Sequence, residues 1–313
     1  MTNSIDSQPA FPSEHVPGDN AALCNTRNAF EIIPIPAFND NYIWLLMAPQ
    51  APATGTSSVS VRDVIVVDPG QAQPVIDVLE ARGLRLSAIL LTHHHNDHVG
   101  GVAALLAHAN PAAGAVPVYG PAGEDIAHVT TKLSGGDSVE VSSPSAHFTV
   151  IDVPGHTRGH IAFFASAPEQ GESEQGQAQP PRVFCGDTLF ATGCGRLFEG
   201  TPAQMLVSLD RLAVLPPTTH VYCAHEYTLS NIRFALACDA DNADLHRWQA
   251  DAEALRQQGK PTVPTTLAHE LRVNPFLRPD EPAILARLTR ELGHTPQTRL
   301  QAFTALREWK DRF

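Results

Sequence analysis

Residues 90–101 have the sequence LLTHHHNDHVGG, in which four histidines and one aspartate occupy six consecutive positions directly after an apolar run. In an extended segment alternate side chains share a face, which predicts that His93, His95 and Asp97 project together. His98 follows where the chain is expected to turn into a helix. Neutral imidazole and carboxylate are natural ligands of a borderline divalent metal ion, whereas a solvated polar loop leaves this clustering unexplained. The stretch therefore predicts a metal site.

Three motifs further along the chain each place another possible ligand at the end of a predicted strand. PGHT carries His156, CGDTLF carries Asp187 and CAHEYT carries His225. Singly each signal is weak, because a lone histidine after a strand is more often packed or solvated, and Asp187 could cap a turn. Taken together and in this order, they indicate one site with more ligands than a single metal ion needs.

The composition limits the classes of partner. The chain has 313 residues, 43% of them hydrophobic, which suffices for one sizeable core and a smaller appended domain. Its formal net charge of -12 argues against nucleic acid or an anionic membrane as the main partner, because polyanions recruit basic surfaces. The five cysteines form no CxxC pair, so a reducing, cytoplasmic location is predicted. We expect neither a bilayer-spanning segment nor a secretory signal.

The chain is predicted to have three parts. Residues 1–28 are rich in Ser, Pro, Asn and Asp and are expected to be a disordered tail. Residues 29–225 alternate strands with helices, and the low-complexity stretches 48–62 and 167–182 are expected to be surface loops between strands. Residues 226–313 are expected to be helical, with a Pro-rich connection in the middle.

Short runs rich in β-branched and aromatic residues predict the strands. They are expected at 30–37, 42–47, 63–68, 88–92, 147–153, 160–165, 182–187 and 220–225. The helices are expected at 73–82, 100–109, 202–213, 226–238, 242–258, 281–292 and 296–312. The helix at 202–213 has a clear start, because Thr201 can cap it and Pro202 suits the first helical position.

The ordered motifs THxHxDH, PGHT, GDT and AHEYT resemble those of the metallo-β-lactamase superfamily, and specifically of glyoxalase II, the hydroxyacylglutathione hydrolases. The resemblance extends from about residue 30 to the C-terminus. It implies an α+β fold, in which an αββα sandwich carries two metal ions at one edge of its sheets and a C-terminal helical domain helps to bind glutathione. That division agrees with the change of character after His225.

The resemblance also implies two ligand sets and a shared carboxylate. One metal ion would be held by His93, His95 and His156, and the other by Asp97, His98 and His225, with Asp187 bridging the two. Asp68, in VVDPG, would support the metal-binding loop from behind, although an aspartate before a proline can also simply form a turn. Two divalent ions are implied, with zinc the first choice and iron or manganese suited to the same ligands.

The activity implied is hydrolysis of S-(2-hydroxyacyl)glutathione, such as S-lactoylglutathione, to glutathione and a 2-hydroxy acid, the second step of methylglyoxal detoxification. A hydroxide held between the metal ions would attack the thioester, because metal binding lowers the pKa of water to about 7. Asp97 would orient that hydroxide and shuttle its proton. The expected partner is a small glutathione thioester, with no nucleic acid and no membrane, and a monomer is expected.

Substrate contacts are implied by the same resemblance. Where the family has GCGKxYEG this chain has GCGRLFEG, so Arg196 keeps a positive charge while Phe198 lacks the hydroxyl of the family's tyrosine. Tyr227 and Asn231 match positions near the glutathione peptide. Two basic residues near the C-terminus match the family's RxxK pair, and they could otherwise belong to an ordinary solvated helical face; they are Arg307 and Lys310.

Other classes of protein could share these motifs. A nucleic-acid-processing relative is disfavoured by the acidic charge. A true β-lactamase often has a cysteine at the position of Asp187, and a sulfur dioxygenase usually stops soon after the core domain and uses one iron. A noncatalytic metal-binding protein would favour a closed four-ligand site. The remaining histidines lack ligand spacing and are not expected to bind metal; they are His15, His108, His128, His147, His160, His220, His246, His269 and His294.

Overall fold

The computed structural model describes residues 28–48, 61–109, 114–167 and 179–313. Residues 1–27 of the predicted N-terminal tail and most of the two predicted long loops lie outside these residues, whereas Asn28, the last residue of that tail, is buried and accepts from the His147 backbone N. In the part of the chain that is described, no helix is both long and apolar enough to cross a membrane.

The first sheet is mixed and has six strands, arranged in space in the order in which they occur in the chain. Its strands are β1 (Glu31–Ala37), β2 (Asn41–Met47), β3 (Arg62–Val67), β4 (Leu84–Leu90), β5 (Val118–Pro121) and β6 (Thr131–Leu133). The first three strands pair antiparallel, and β3 to β6 pair parallel.

The chain from Ser138 onward forms another six-stranded sheet and a small separate hairpin. The strands are β7 (Ser138–Val141), β8 (Ala146–Asp152), β9 (Ile161–Ala165), β10 (Arg182–Gly186), β11 (Leu189–Phe190), β12 (Gly193–Cys194), β13 (His220–Cys223) and β14 (Thr265–Thr266). The sheet has the order β14-β13-β10-β9-β8-β7, with β10 and β13 parallel. Strands β11 and β12 pair only with each other.

Helices lie between the strands of the sandwich and dominate the C-terminal part. They are α1 (Gln73–Arg82), α2 (Asn96–Val99), α3 (Val102–His108), α4 (Pro202–Ala213), α5 (Thr228–Cys238), α6 (Ala243–Gln257), α7 (Leu267–Val273), α8 (Pro282–Leu292) and α9 (Arg299–Arg312). Helix α4 begins as predicted, with a capping box between Thr201 and Gln204 and with Pro202 in its first turn.

The alternation of side chains in β2 shows why two sheets pack together. Trp44 and Leu46 enter the large core that also holds Phe148 and Phe163 of the second sheet. Ile43, Leu45 and Met47 point the other way, into a core shared with α1 and α3. A strand buried on both faces reads as a continuous apolar run, as NYIWLLM does. The fold is therefore an α+β, αββα sandwich followed by a helical C-terminal part.

Some predicted elements differ from those in the structure. Strands β5, β6 and β7 were missed, because they are only three or four residues long and carry little apolar periodicity. Helix α7 was missed inside the predicted Pro-rich connection, although Thr266 caps it. The helix predicted at 100–109 is α3, preceded by the separate turn α2.

The extended geometry predicted for the histidine-rich stretch does not hold throughout, because the chain bends at Thr92 and His93 before His95. That residue has extended backbone angles, but Asp97 and His98 lie in the helical turn α2. The alternation argument was therefore wrong for Asp97. Because Asp97 reaches the site from a helix, it lies beside His98 and His225 and not beside His93 and His95.

Candidate active site

The predicted metal ligands follow the ends of strands from both sheets. The histidine-rich loop follows β4, His156 follows β8, Asp187 directly follows β10, and His225 follows β13. An isolated backbone bridge between Asn41 and His225 joins the two halves at this edge. Five segments that are far apart in sequence thus meet at one rim of the sandwich.

The first ligand group consists of His93, His95 and His156, whose ring nitrogens lie within 4.8 Å of one another. His156 Nε2 is 3.0 Å from His95 Nδ1. Two nitrogens this close could share a proton or face a common cation. Asp187 Oδ2 lies 3.3 Å from His156 Nε2 and therefore borders the same group.

The second group consists of Asp97, His98 and His225. Asp97 Oδ2 is 3.6 Å from His98 Nε2 and 3.5 Å from His225 Nε2. The other oxygen of Asp187, Oδ1, is 3.4 Å from His98 Nε2 and 3.3 Å from His225 Nε2. One carboxylate therefore presents one oxygen to each group, as a bridging ligand must.

Unpaired buried atoms test whether this arrangement fits metal ions. Among the described residues, His93 Nε2, His98 Nε2 and Asp187 Oδ1 are buried without a hydrogen-bond partner. Leaving such atoms unsatisfied costs about 1–3 kcal/mol each, so three of them in one place require an explanation. Cations held between the two groups would satisfy all three. The residues present fit a binuclear metal site.

Outer hydrogen bonds fix the orientation of the ligands. Asp68 accepts from the Thr92 backbone N at 2.8 Å, from the Thr92 hydroxyl at 2.7 Å and from His98 Nδ1 at 3.1 Å. Because both of its oxygens are engaged, Asp68 supports the loop from behind. His156 Nδ1 donates to the Arg196 carbonyl oxygen at 2.9 Å, which turns Nε2 of that ring toward the site.

Three residues at the site were not predicted as functional. Asp40 Oδ1 accepts from His225 Nδ1 at 2.9 Å, and Asn41 Nδ2 donates to Asp97 Oδ2 at 3.1 Å. His160 was predicted not to bind metal, and it belongs to none of the ligand groups found in the described residues. Its ring stacks on His93 at 4.5 Å, and its Nε2 accepts from the Asp187 backbone N.

Burial and charge set the protonation of the ligands. Burial lowers the pKa of His93 well below its ordinary value and also lowers that of His156, so both rings are neutral and free to bind a cation. Burial alone would raise the pKa of Asp187, but the neighbouring His98 and His225 outweigh it and hold that pKa well below its usual value. Asp187 is therefore an anion.

Aromatic side chains form the wall of the site. Tyr227 stacks on His225, with ring centres 4.7 Å apart and planes 7° apart. Phe198 is 63% exposed and lies edge-on to His95 at 5.6 Å and to His156 at 5.3 Å. Phe198 thus lies where the family's tyrosine was expected, and it offers an apolar surface.

The predicted substrate-binding residues differ in accessibility. Arg196 is exposed, and Lys310 Nζ reaches the Ser230 carbonyl oxygen at 3.4 Å. Arg307 is only 4% exposed, and its Nη1 donates to the Cys194 carbonyl oxygen at 2.9 Å. The alternative of an ordinary solvated face is therefore wrong for Arg307. Asn231 is also buried and donates to the Ala191 carbonyl oxygen at 3.1 Å.

Fold and ligand groups together define a hydrolase of the metallo-β-lactamase type. The family model described as "Metallo-beta-lactamase superfamily" matches residues 52–165, and the model "Hydroxyacylglutathione hydrolase C-terminus" matches residues 226–313. The chain is 53% identical over 285 residues to the hydroxyacylglutathione hydrolase of Cupriavidus taiwanensis, covering 90% of this chain and 99% of that relative. It is 49% identical to that of Alkalilimnicola ehrlichii, covering 90% and 98%. The chain belongs to the hydroxyacylglutathione hydrolase family.

Solved structures agree on the fold. ETHE1 from Myxococcus xanthus superposes with a TM-score of 0.53 at 23% identity, covering 90% of this chain and 99% of that one. A metallo-β-lactamase from Staphylococcus aureus gives a TM-score of 0.52 at 19% identity, covering 90% and 72%. These likenesses support the sandwich architecture alone.

Proposed function

We propose that this protein hydrolyses S-(2-hydroxyacyl)glutathione, such as S-lactoylglutathione, to glutathione and a 2-hydroxy acid, the second step of methylglyoxal detoxification. The observation that carries the proposal is the pair of ligand groups that share Asp187, next to a wall formed by Tyr227 and Phe198. A thioester suits such a site, because a leaving thiol of pKa about 8.5 needs little protonation to depart.

Two divalent ions are the proposed cofactor, with zinc favoured because imidazole nitrogen and carboxylate oxygen are among its usual ligands. When bound, such ions supply a nucleophilic hydroxide at neutral pH and polarise a carbonyl group. His93, His95 and His156 would hold one ion, and Asp97, His98 and His225 the other, with Asp187 between them.

Asp97 is the proposed group for moving a proton. Its Oδ2 faces His98 and His225 and is held by Asn41 Nδ2 at 3.1 Å, so the carboxylate is oriented before substrate arrives. Its side chain is 41% exposed, which leaves a path for the proton to solvent. We propose that Asp97 accepts the proton of the attacking water and passes it to the departing sulfur.

Tyr227 and Phe198 are proposed to receive the substrate. Burial, with Asp40 nearby, raises the pKa of Tyr227, so its hydroxyl stays protonated and can donate to a peptide carbonyl. Phe198 excludes water beside His95 and His156 without adding a donor. The loss of one hydrogen bond relative to a tyrosine would weaken binding by about 0.5–1.5 kcal/mol.

Lys310 and Arg196 are the proposed partners of the glutathione carboxylates, because Arg196 is exposed and Lys310 is partly exposed, whereas Arg307 is buried. Arg307 lies beneath them and holds the backbone that leads to Arg196. Asn231, which is also buried, would likewise act through the backbone, since it donates to the Ala191 carbonyl oxygen. In this arrangement the hydrogen bonds of Arg307 serve the protein, and its charge is paired with Asp311, whose Oδ1 lies 2.9 Å from Nη2.

We also propose that the chain has the predicted two functional domains. Residues 29–225 would form the catalytic domain, and residues 226–313 would form the domain that binds glutathione. The protein is proposed to act in the cytoplasm as a monomer.

Loss of thioester absorbance with S-lactoylglutathione tests the proposed function, combined with metal counting on the same sample. Wild-type protein should hold about two metal equivalents and cleave the thioester, while His95→Ala should lose metal and activity together. His294→Ala is a matched control, because His294 lies on the C-terminal surface away from the ligand groups. Cleavage that is unaffected by His95→Ala would refute the assignment.

A further inference from the structure

The hairpin of β11 and β12 connects two parts of the metal centre. It begins two residues after Asp187 and, with Gly195, ends just before Arg196, whose carbonyl oxygen orients His156. We call residues 189–195 the site hairpin. Among the described strands its two strands pair only with each other, so no strand pairing ties its backbone to either large sheet, although its apolar side chains lie in the core.

Side chains of the C-terminal helices hold the backbone of the site hairpin. Asn274 Nδ2 donates to the carbonyl oxygens of Phe190 at 3.3 Å and of Gly193 at 3.0 Å. Glu270 Oε2 accepts from the Thr192 backbone N at 2.8 Å. Further contacts come from Asn231 to Ala191, from Trp248 to the Thr192 hydroxyl, and from Arg307 to Cys194 and Gly195.

Glu270 is at the centre of this contact. It is completely buried, and its other oxygen accepts from the Thr265 hydroxyl at 2.7 Å, while Asn274 Nδ2 donates to Oε2 at 3.0 Å. Burying an acid in this way is costly, and burial raises the pKa of Glu270 to about 7. Each oxygen nevertheless has a donor, so the carboxyl group is fully used in holding the hairpin.

Thr192, at the turn of the site hairpin, has a strained backbone. Its φ is 60°, a region that β-branched residues rarely adopt. Such strain costs about 1–3 kcal/mol and persists only where the surroundings impose it. Here Glu270 holds the amide of Thr192, and Trp248 Nε1 donates to its hydroxyl at 2.9 Å.

The site hairpin is tightly packed at Gly195, so a shift of its turn cannot be absorbed there. A Cβ atom on Gly195 would lie 1.9 Å from the Asp187 carbonyl oxygen and 3.2 Å from His156 Nδ1. The Gly195 backbone N also donates to the Thr188 carbonyl oxygen at 3.1 Å. A displacement at Thr192 would therefore be transmitted to Asp187 on one side and to the carbonyl that orients His156 on the other.

We propose that Glu270 and Asn274, assisted by Trp248, are positioning residues for the metal centre. By holding the site hairpin they set the bridging carboxylate of Asp187 and the ring of His156. The inference rests on the proposed function in one respect, namely that Asp187 and His156 are metal ligands. It adds a task for the C-terminal helices that is separate from contact with glutathione.

Three variants of the metal-loaded full chain test the proposal. Glu270→Ala removes the acceptor for Thr192, while Glu270→Gln keeps an oxygen for Thr192 and Asn274 and turns its amide toward the Thr265 hydroxyl. Leu79→Ala is the control, because Leu79 is buried on α1 in the other large core cluster, which contains neither Trp248 nor a residue of the site hairpin. It should cost stability comparably, as large-to-small core changes do, without touching the site hairpin.

Two readouts separate positioning from general destabilisation. We expect Glu270→Ala to speed hydrogen exchange of the Thr192 amide and to speed metal release to a chelator, each about tenfold, as for the loss of an outer partner of a metal ligand. Glu270→Gln should stay within about twofold of wild type in both. Leu79→Ala should change neither, although its unfolding midpoint falls. In kinetics, Glu270→Ala should lower kcat more than it raises KM.

Trp248→Phe keeps the test decisive if Glu270→Ala does not fold, because it removes only the indole donor to the Thr192 hydroxyl. We expect Trp248→Phe to speed hydrogen exchange of the Thr192 amide and metal release, each by a smaller factor than Glu270→Ala does. If Glu270→Ala, or Trp248→Phe in its place, keeps wild-type exchange and metal release, the proposal is overturned. It is equally overturned if Leu79→Ala releases metal as fast as Glu270→Ala. If wild type binds metal but does not cleave S-lactoylglutathione, the proposed function fails while these readouts still decide the inference.

Discussion

Replacing Glu270 with glutamine should change how the stability of the protein depends on pH. Burial raises the pKa of Glu270 from its ordinary value of 4.5 to about 7, so this acid is protonated more readily in the folded chain than in the unfolded chain. Between those two pH values the folded state binds the extra proton. Glu270 therefore contributes to the free energy of unfolding at low pH, and this contribution is lost as pH rises through 7.

The size of the effect follows from the two pKa values. Between pH 5 and pH 8 the shift corresponds to roughly 1.8 pKa units, and each unit is worth about 1.36 kcal/mol, which gives about 2.5 kcal/mol. Glutamine does not titrate and resembles the neutral acid. Relative to wild type, Glu270→Gln should therefore gain about 2.5 kcal/mol on going from pH 5 to pH 8.

Urea unfolding followed by tryptophan fluorescence at pH 5, 6, 7 and 8 would measure this difference. Titrations that the two chains share, such as those of the histidine ligands, cancel in the comparison. Leu79→Ala should differ from wild type by a constant amount across the same range. A difference between Glu270→Gln and wild type that does not vary with pH would show that Glu270 has an ordinary pKa, and that its burial costs less than we infer.

Three further outcomes are expected. Burial, with Arg307 and Arg233 nearby, lowers the pKa of Lys310 to about 8, so KM for the glutathione thioester should rise above pH 8 by up to about tenfold per pH unit. Lys310→Arg should flatten that rise, and a KM in wild type that is constant to pH 9.5 would exclude the role of Lys310. Asp187→Asn should bind about one metal equivalent where wild type binds about two, as measured after dialysis, and two equivalents would rule out bridging. Gly195→Ala should lose metal and activity, because its Cβ would lie 1.9 Å from the Asp187 carbonyl oxygen; a folded variant with full metal content would contradict this.

Much of the fold was predictable because its buried strands are long apolar runs. The strand predicted at 42–47 is β2, the helix predicted at 73–82 is α1, and the helix predicted at 202–213 is α4. The short strands between β4 and β8 were not predictable, because a three- or four-residue strand is held by its neighbours in the sheet and has no pattern of its own.

The ligand groups were predictable for a different reason. Histidines and aspartates at the ends of strands stand out in a sequence, and the structure brings His93, His95 and His156 together, as it does Asp97, His98 and His225. Asp40 and Glu270 do not stand out. Asp40 meets His225 across 185 residues, and Glu270 meets Thr192 across 78 residues, so their partners appear only once the chain is folded.

The distance along the chain between the site hairpin and Glu270 has a consequence for synthesis on the ribosome. A chain made at about 5–20 residues per second needs about 4–16 s to extend over the 78 residues from Thr192 to Glu270. By then the group of His93, His95 and His156 has long been translated. During that interval the strained turn at Thr192 lacks the carboxyl group that holds its amide, so the newborn protein has all seven of its proposed metal ligands before it has the helix that we propose keeps Asp187 in place.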